Sequence, residues 1–261
     1  MIVLLTFADK RLAPTLDRIK QEAIESRYFN KVVLATDETL KADKVYWQQY
    51  GSFYNANQRG FGYWLWKPYL IKKQLEKMND DDILVYLDAG CEIHSTYETQ
   101  QRFQYYVAEA RKNGMVCFDH LRCYTKQYCK GDVLSFFNVQ TDMSVLNSKQ
   151  VMATILIMAK CKKTNAIIDE WYDISHQHLC LLTDEPSVVP NHPSFIAHRH
   201  DQSIFSILAY KYGVRILPQT EVYPDGGDWT QMSNFPFWAK RNKEFRRKTL
   251  LERIIDKIKR L

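Results

Sequence analysis

Ile83-Leu84-Val85-Tyr86-Leu87 runs straight into Asp88-Ala89-Gly90, and the reading of this stretch decides the fold. Consecutive apolar residues leave no polar face for water, so the run describes a strand buried on both sides, as in a parallel sheet covered by helices. It ends on a carboxylate next to a glycine, where other backbone or a ligand can approach closely. In open sheets of this kind ligands gather at the carboxyl ends of the strands, which makes Asp88 a candidate for a diphosphate or its divalent ion. Asp-x-Gly is also an ordinary turn sequence and by itself decides nothing.

The same pattern extends in both directions. Ile2 to Phe7 and Lys31 to Thr36 are two more short apolar runs, with polar residues at their ends in Thr6 to Asp9 and Thr36-Asp37. Between them Leu12, Leu16, Ile19, Ala23 and Ile24 recur at helical spacing. Pro68, a favoured first-turn residue, opens a helix running to about Met78, and Asp80-Asp81-Asp82 breaks it. Downstream, Met115 to Phe118 and Met152 to Met158 read as strands, and Asn165 to Gln177 and His200 to Tyr212 as helices. Gly213 caps the last helix, Val214 to Pro218 follows as an edge strand, and 180 to 198, with three prolines, reads as an irregular loop. Strands alternating with helices predict the α/β class.

Composition narrows the function. Of 261 residues 46% are hydrophobic and 25% charged, which excludes a disordered chain. No run approaches the roughly 18 uncharged apolar residues of a membrane span. The start, Met1 to Phe7, lacks a basic region and a small-residue cleavage site, so it reads as a strand, and the chain as cytosolic. The cysteines at 91, 117, 123, 129, 161 and 180 form no C-x-x-C pair, which speaks against a disulfide framework or a zinc ribbon. From Lys240 to Leu261 there are ten Lys or Arg and three acidic residues, leaving 26 basic and 27 acidic groups before them. Nucleic-acid enzymes spread positive charge over a working face, and here it is confined to the tail, so no nucleic-acid partner is expected.

That tail, 240–261, reads as one amphipathic helix appended to a domain of residues 1–239. Leu250, Leu251, Ile254, Ile255, Ile258 and Leu261 recur at spacings of three and four, with Lys and Arg opposite. Such a helix can pack on the domain or form an oligomer seam. The favoured expectation is a helix lying on an anionic membrane surface through Phe245, Arg246, Arg247, Leu251, Ile254, Ile255 and Ile258, each basic residue adding about 1 kcal/mol. Phe235, Phe237 and Trp238 would then be the interfacial anchor.

Two further clusters carry candidate chemistry. Arg59 to Pro68 packs aromatics, glycines and cations together. Aromatics so dense can be core, but interleaved Gly60, Gly62 and Lys67 suggest a surface that stacks a ring and pairs with phosphate, with Lys67 just ahead of a helix N-terminus. His198-Arg199-His200-Asp201-Gln202-Ser203 opens a helix. Asp201 alone would be a structural cap; two histidines and an arginine beside it read as hydrogen-bond donors and a possible base.

Gly62-Tyr63-Trp64-Leu65-Trp66-Lys67-Pro68, Tyr86 to Ile93 and His198 to Ser203, in that order after an N-terminal strand, resemble a group of bacterial and viral glycosyltransferases with the GT-A fold. These enzymes use nucleotide sugars to build surface polysaccharides, and the resemblance covers roughly residues 1 to 220. It implies a Rossmann-like, mostly parallel mixed sheet flanked by helices. It implies that Thr6, Phe7 and Asp9 border the nucleotide, most often uridine. Tyr63, Lys67, Asp88, Ala89, Gly90, Arg199 and His200 would bind the donor, with Lys67 on its diphosphate. Asp201 would face the donor sugar near the reacting carbon. Asp88 takes the place of the first acid in an Asp-x-Asp motif that holds Mn²⁺ or Mg²⁺. The second acid is Gly90, and one carboxylate is a poor cage unless Glu92 or a histidine helps. Without metal, Lys67 and Arg199 would have to offset the departing diphosphate.

The chemistry of glycosyl transfer fits these residues. The leaving diphosphate must be stabilised, and an inverting enzyme needs a base for the acceptor hydroxyl, for which Asp201 is the candidate. The expected acceptor is a glycan or lipid-linked sugar at the inner face of a membrane. The rival expectations are a nucleotidyltransferase or metal-dependent hydrolase on a similar sheet, and a non-catalytic membrane-surface binding module. Neither G-x-x-x-x-G-K-[ST] nor G-x-G-x-x-G occurs, which disfavours most other nucleotide enzymes.

Overall fold

The computed structural model describes residues 1–243. The expected tail helix, with Phe245, Arg246, Arg247, Leu251, Ile254, Ile255 and Ile258, lies outside the described residues. Among those described, no helix is long and apolar enough to cross a membrane.

The apolar runs form a six-stranded sheet: β1 (Ile2–Phe7), β2 (Lys31–Ala35), β3 (Ile83–Leu87), β5 (Met115–Tyr124), β6 (Lys149–Ala159) and β7 (Arg215–Leu217). Their order is β2-β1-β3-β6-β5-β7. β1 pairs in parallel with β2 and β3, and β5 with β7. β6 alone runs the other way, antiparallel to both β3 and β5. The α/β class, the mostly parallel mixed sheet and the edge position of β7 are as expected. Direction was not legible for β6, because an apolar run reads the same both ways. The two remaining strands, β4 (Glu92–Ile93) and β8 (Phe237–Trp238), pair with each other apart from the main sheet.

Both faces are covered, which is why the strands show no alternation. Val3, Leu5 and Phe7 of β1 belong to one core, with the helices Lys44–Ala56, Trp66–Leu75, Lys162–Gln177 and Asp201–Lys211. Leu4 and Ala8 belong to the other, under the helices Thr15–Ser26 and Tyr97–Asn113. The latter opens with a capping box, Thr96 with Thr99. Phe237 is fully buried in this second core, and Trp238 stacks on His94 with ring centroids 3.6 Å apart. The aromatic trio expected to anchor in a membrane interface is therefore largely engaged by the body of the domain.

Gly60, Phe61, Gly62, Tyr63 and Trp64 all have positive φ, a left-handed turn immediately before the Trp66–Leu75 helix. Each non-glycine residue there costs roughly 1–2 kcal/mol, so the surrounding packing must hold it. At Gly62 (φ +72°) an added Cβ would lie 2.5 Å from the ring of fully buried Tyr54. Gly62→Ala should destabilise the fold by about 2–4 kcal/mol, combining left-handed strain with overpacking. Denaturant unfolding checks this.

Candidate active site

Lys67 lies in the first turn of the Trp66–Leu75 helix, not ahead of it, and is only 3% exposed. Buried lysines need partners. Its Nζ donates to the carbonyl of Ala153 on β6 at 3.0 Å and lies 3.3 Å from both Asp88 Oδ1 and Asp201 Oδ2. Residues from separate parts of the chain thus meet at the upper rim of the sheet. Asp88, at the end of β3, is pinned from two sides: its N–H donates to the Thr154 carbonyl and its Oδ1 accepts from Tyr86 at 2.5 Å. A third of the Asp88 side chain is exposed, whereas Asp201 behind the lysine is almost wholly buried. The antiparallel β6 matters here, since its first half brings the Ala153 and Thr154 carbonyls to the rim where the parallel strands end.

One ammonium between two carboxylates sets the electrostatics. Burial works against the Lys67 charge, but Asp201 and Asp88 together outweigh it and hold its pKa above the ordinary value. Burial raises the Asp201 carboxyl to about 6, opposed by Lys67 and reinforced by Asp88. Although Asp201 Oδ2 is near Lys67, it has no well-formed hydrogen bond. The amide nitrogen of Gln202 and Nδ1 of His120 are likewise buried without partners. Buried polar atoms are rarely left so, and here three belong to one rim.

Tyr63, Trp64 and His200 fit together as a strained unit. His200 has φ 55° and ψ −123°, and its ring lies 5.0 Å from that of Tyr63 and 5.4 Å from that of Trp64. Its Nδ1 is 2.7 Å from the Leu182 carbonyl, and Nε2 of His198 is 2.8 Å from that of Leu181. A carbonyl only accepts, so each of these nitrogens carries the proton. Burial depresses both imidazoles, which are neutral fasteners of the proline-rich loop. His198 is thereby explained structurally. Arg199, half-buried, lies over the Tyr128 ring at 4.8 Å, with Nε unpartnered.

At the first strand, Thr6, Phe7 and Asp9 are all buried. Phe7 stacks on Trp66 at 3.9 Å, and Asp9 accepts from the Arg11 guanidinium and from the N–H groups of Arg11 and Leu12. These residues shape the rim from below.

The Asp88-Ala89-Gly90 turn is tied on every side. Arg18 donates to the carbonyls of Ala89 and Cys91, and the N–H of Asn242 to that of Gly90 at 2.8 Å. An added Cβ at Gly90 would sit 3.0 Å from the Cα of Arg241. Glycine at position 90 leaves room for residues 241–242, which cross directly over it. Glu92, expected to assist a metal, instead accepts from Asn242 at 2.6 Å and from Lys240 at 3.3 Å, with His94 also 3.3 Å away. Despite burial these partners hold its carboxyl down to about 2. Among the described residues, no group of three His, Cys, Asp or Glu is placed to hold a metal. Around this turn the residues do not fit a Mn²⁺ or Mg²⁺ cage: Asp88 already holds a lysine, and Glu92 is committed to the C-terminal segment.

His120, whose buried Nδ1 is unpartnered, is not marked by anything in the sequence around it. Gln202, by contrast, belongs to the cluster that opens the Asp201–Lys211 helix.

The fold is similar to those of several solved glycosyltransferases. Against apo-form GlyE of Streptococcus pneumoniae TIGR4 the identity is 11% and the TM-score 0.42, over 84% of this chain and 45% of that one. For the galactosyltransferase LgtC, solved in complex with donor and acceptor sugar analogs, the values are 12% and 0.45, over 85% and 75%. For a glycosyltransferase involved in glycosylation of the major capsid of PBCV-1 they are 9% and 0.45, over 91% of each. The chain thus spans less than half the length of GlyE. No protein-family model and no curated protein matches its sequence.

The raised pKa of Asp201 has a consequence for stability. A carboxyl titrating at about 6 when folded and near 3.8 when unfolded loses stability as pH rises between those values. Asp201→Asn removes that loss. Whatever its offset at low pH, the unfolding free energy of the variant relative to the parent should increase by about 1–3 kcal/mol across the same interval. Urea unfolding at a series of pH values measures it, and a flat difference would contradict the assignment.

Proposed function

We propose that this protein is a glycosyltransferase moving a sugar from a nucleotide-diphosphate sugar, with uridine the expected base, to a glycan or lipid-linked acceptor. The observation that supports this best is the Lys67 ammonium shared by Asp88 and Asp201 at the carboxyl rim of the sheet. Ligand sites in such sheets lie at that rim, and nearby left-handed backbone and unpartnered polar atoms are features that functional sites accumulate.

In the reaction, the bond between the anomeric carbon and the diphosphate oxygen breaks, and a bond from that carbon to the acceptor oxygen forms. The acceptor proton goes to a base. Asp201, with a carboxyl near 6, is matched to that role in an inverting reaction and to holding sugar hydroxyls in a retaining one. Lys67 and Arg199 offset charge on the departing diphosphate, and Tyr63 with Trp64 walls the donor on one side. Asp88, the exposed acid, orients the lysine and faces the donor. The Mn²⁺ or Mg²⁺ of the resemblance would rest on Asp88 alone, and no step above depends on it.

A thermal-shift panel of nucleotide sugars tests the reading. A donor at one hundred times its dissociation constant should add about 2.7 kcal/mol of stability. With that donor, Asp88→Ala and Asp201→Asn should each lower turnover about 10²–10⁴-fold. If Asp201 is the base, kcat/KM of the parent enzyme should rise with pH through an inflection near 6, since only the ionised carboxyl accepts a proton. No shift with any nucleotide sugar sinks the reading. We also assign the basic, amphipathic sequence at the C-terminus to an anionic membrane surface. Truncation after Lys243, which spares the segment over Gly90, should abolish binding to anionic vesicles.

A further inference from the structure

We propose that the segment crossing Gly90 is part of the donor site, and that Arg241, together with Lys67, offsets the diphosphate in place of a divalent cation. This rests on the sugar-transfer reading and deepens it. The segment is held firmly: Ala239 N–H donates to the Val222 carbonyl, Asn242 N–H to that of Gly90, and Lys240 and Asn242 side chains to Glu92. Arg241 itself is left-handed, with φ 54°, a conformation that persists only where surroundings impose it. A Cβ at position 90 would lie 3.0 Å from the Arg241 Cα, so a second carboxylate there would press on this segment and displace its backbone.

The exchange conserves charge. A carboxylate at 90 with a divalent ion would contribute +1; glycine at 90 with an arginine above it contributes the same. Arg241 is exposed, so its guanidinium is available to an anion, and among the described residues no carboxylate pairs with it. Burial above all lowers the His120 imidazole on β5, and the charges of Arg199 and Arg241 add to this, so the two arginines bear on the same stretch of rim beyond Asp88. A guanidinium also matches phosphoryl oxygens with paired donors, whereas Lys67, already shared among three acceptors, contributes mainly as a charge.

The test is calorimetric binding of UDP, GDP, CDP and ADP to the full chain, in excess EDTA and in millimolar Mn²⁺. At least one should bind in EDTA, with an affinity that Mn²⁺ changes by less than about threefold. Arg241→Ala should weaken that binding at least tenfold in EDTA, about 1.4 kcal/mol, with the thermal unfolding midpoint unchanged, and Arg241→Lys should recover part of it. Binding that needs Mn²⁺, or is tightened more than tenfold by it, overturns the proposal while leaving sugar transfer standing. So does Arg241→Ala binding as tightly as the parent. If no nucleotide binds in either condition, the functional reading fails and the proposal with it.

Discussion

A single buried ammonium organises the upper rim of this protein. Lys67 is surrounded by the carbonyl of Ala153 and the carboxylates of Asp88 and Asp201, each delivered by a different element. Removing one member of such a group leaves uncompensated charge in a low-dielectric setting, which costs roughly 3–5 kcal/mol in comparable buried pairs. The helix carrying Lys67, the end of β3, the start of β6 and the helix opening at Asp201 are therefore constrained together. Even then the arrangement is imperfect: two acids share one base, and Asp201 is pushed toward neutrality. A group this poorly satisfied is stable only where packing elsewhere compensates, and here the two cores on either side of the sheet supply it.

The left-handed turn at 60–64 follows from the same constraint. Lys67 has to enter the rim from a helix that packs on one sheet face, and the chain must reverse sharply just before it. Gly60 and Gly62 make that reversal possible, while Phe61, Tyr63 and Trp64 take on strain in exchange for contacts with Phe7, Tyr54 and His200. The density of aromatics in this stretch thus has two causes: part is core, and part is the wall beside the strained histidine.

Much of this was legible in the residues. The apolar runs at 2–7, 31–36 and 83–87 read as strands; the central 83–87 run is buried throughout, while 31–36 at the sheet edge is mostly half-buried. The segments Gly62 to Pro68, Tyr86 to Ile93 and His198 to Ser203 marked three regions that do converge. What could not be read was anything fixed by distant contact. The direction of β6 depends on how the chain returns to the sheet. The helices Lys44–Ala56 and Tyr97–Asn113 went unread, although Thr96, Thr99, Phe103, Tyr106, Val107 and Ala110 carry a cap and a buried stripe. The two histidines looked like site donors, yet their N–H groups go to loop carbonyls. Glu92 looked like a metal helper because Lys240 and Asn242 lie far away in sequence. Gly90 looked like a missing acid, when it is a clearance for backbone.

That clearance bears on how the protein is made. The turn after β3 emerges from the ribosome early, with its glycine and Glu92 facing partners that do not yet exist. Only when residues 239–242 have been synthesised can the last piece settle over it. Everything from β1 to Asn242 must therefore be in place before the rim is complete. A nascent chain could hold a well-formed sheet and still lack a finished site.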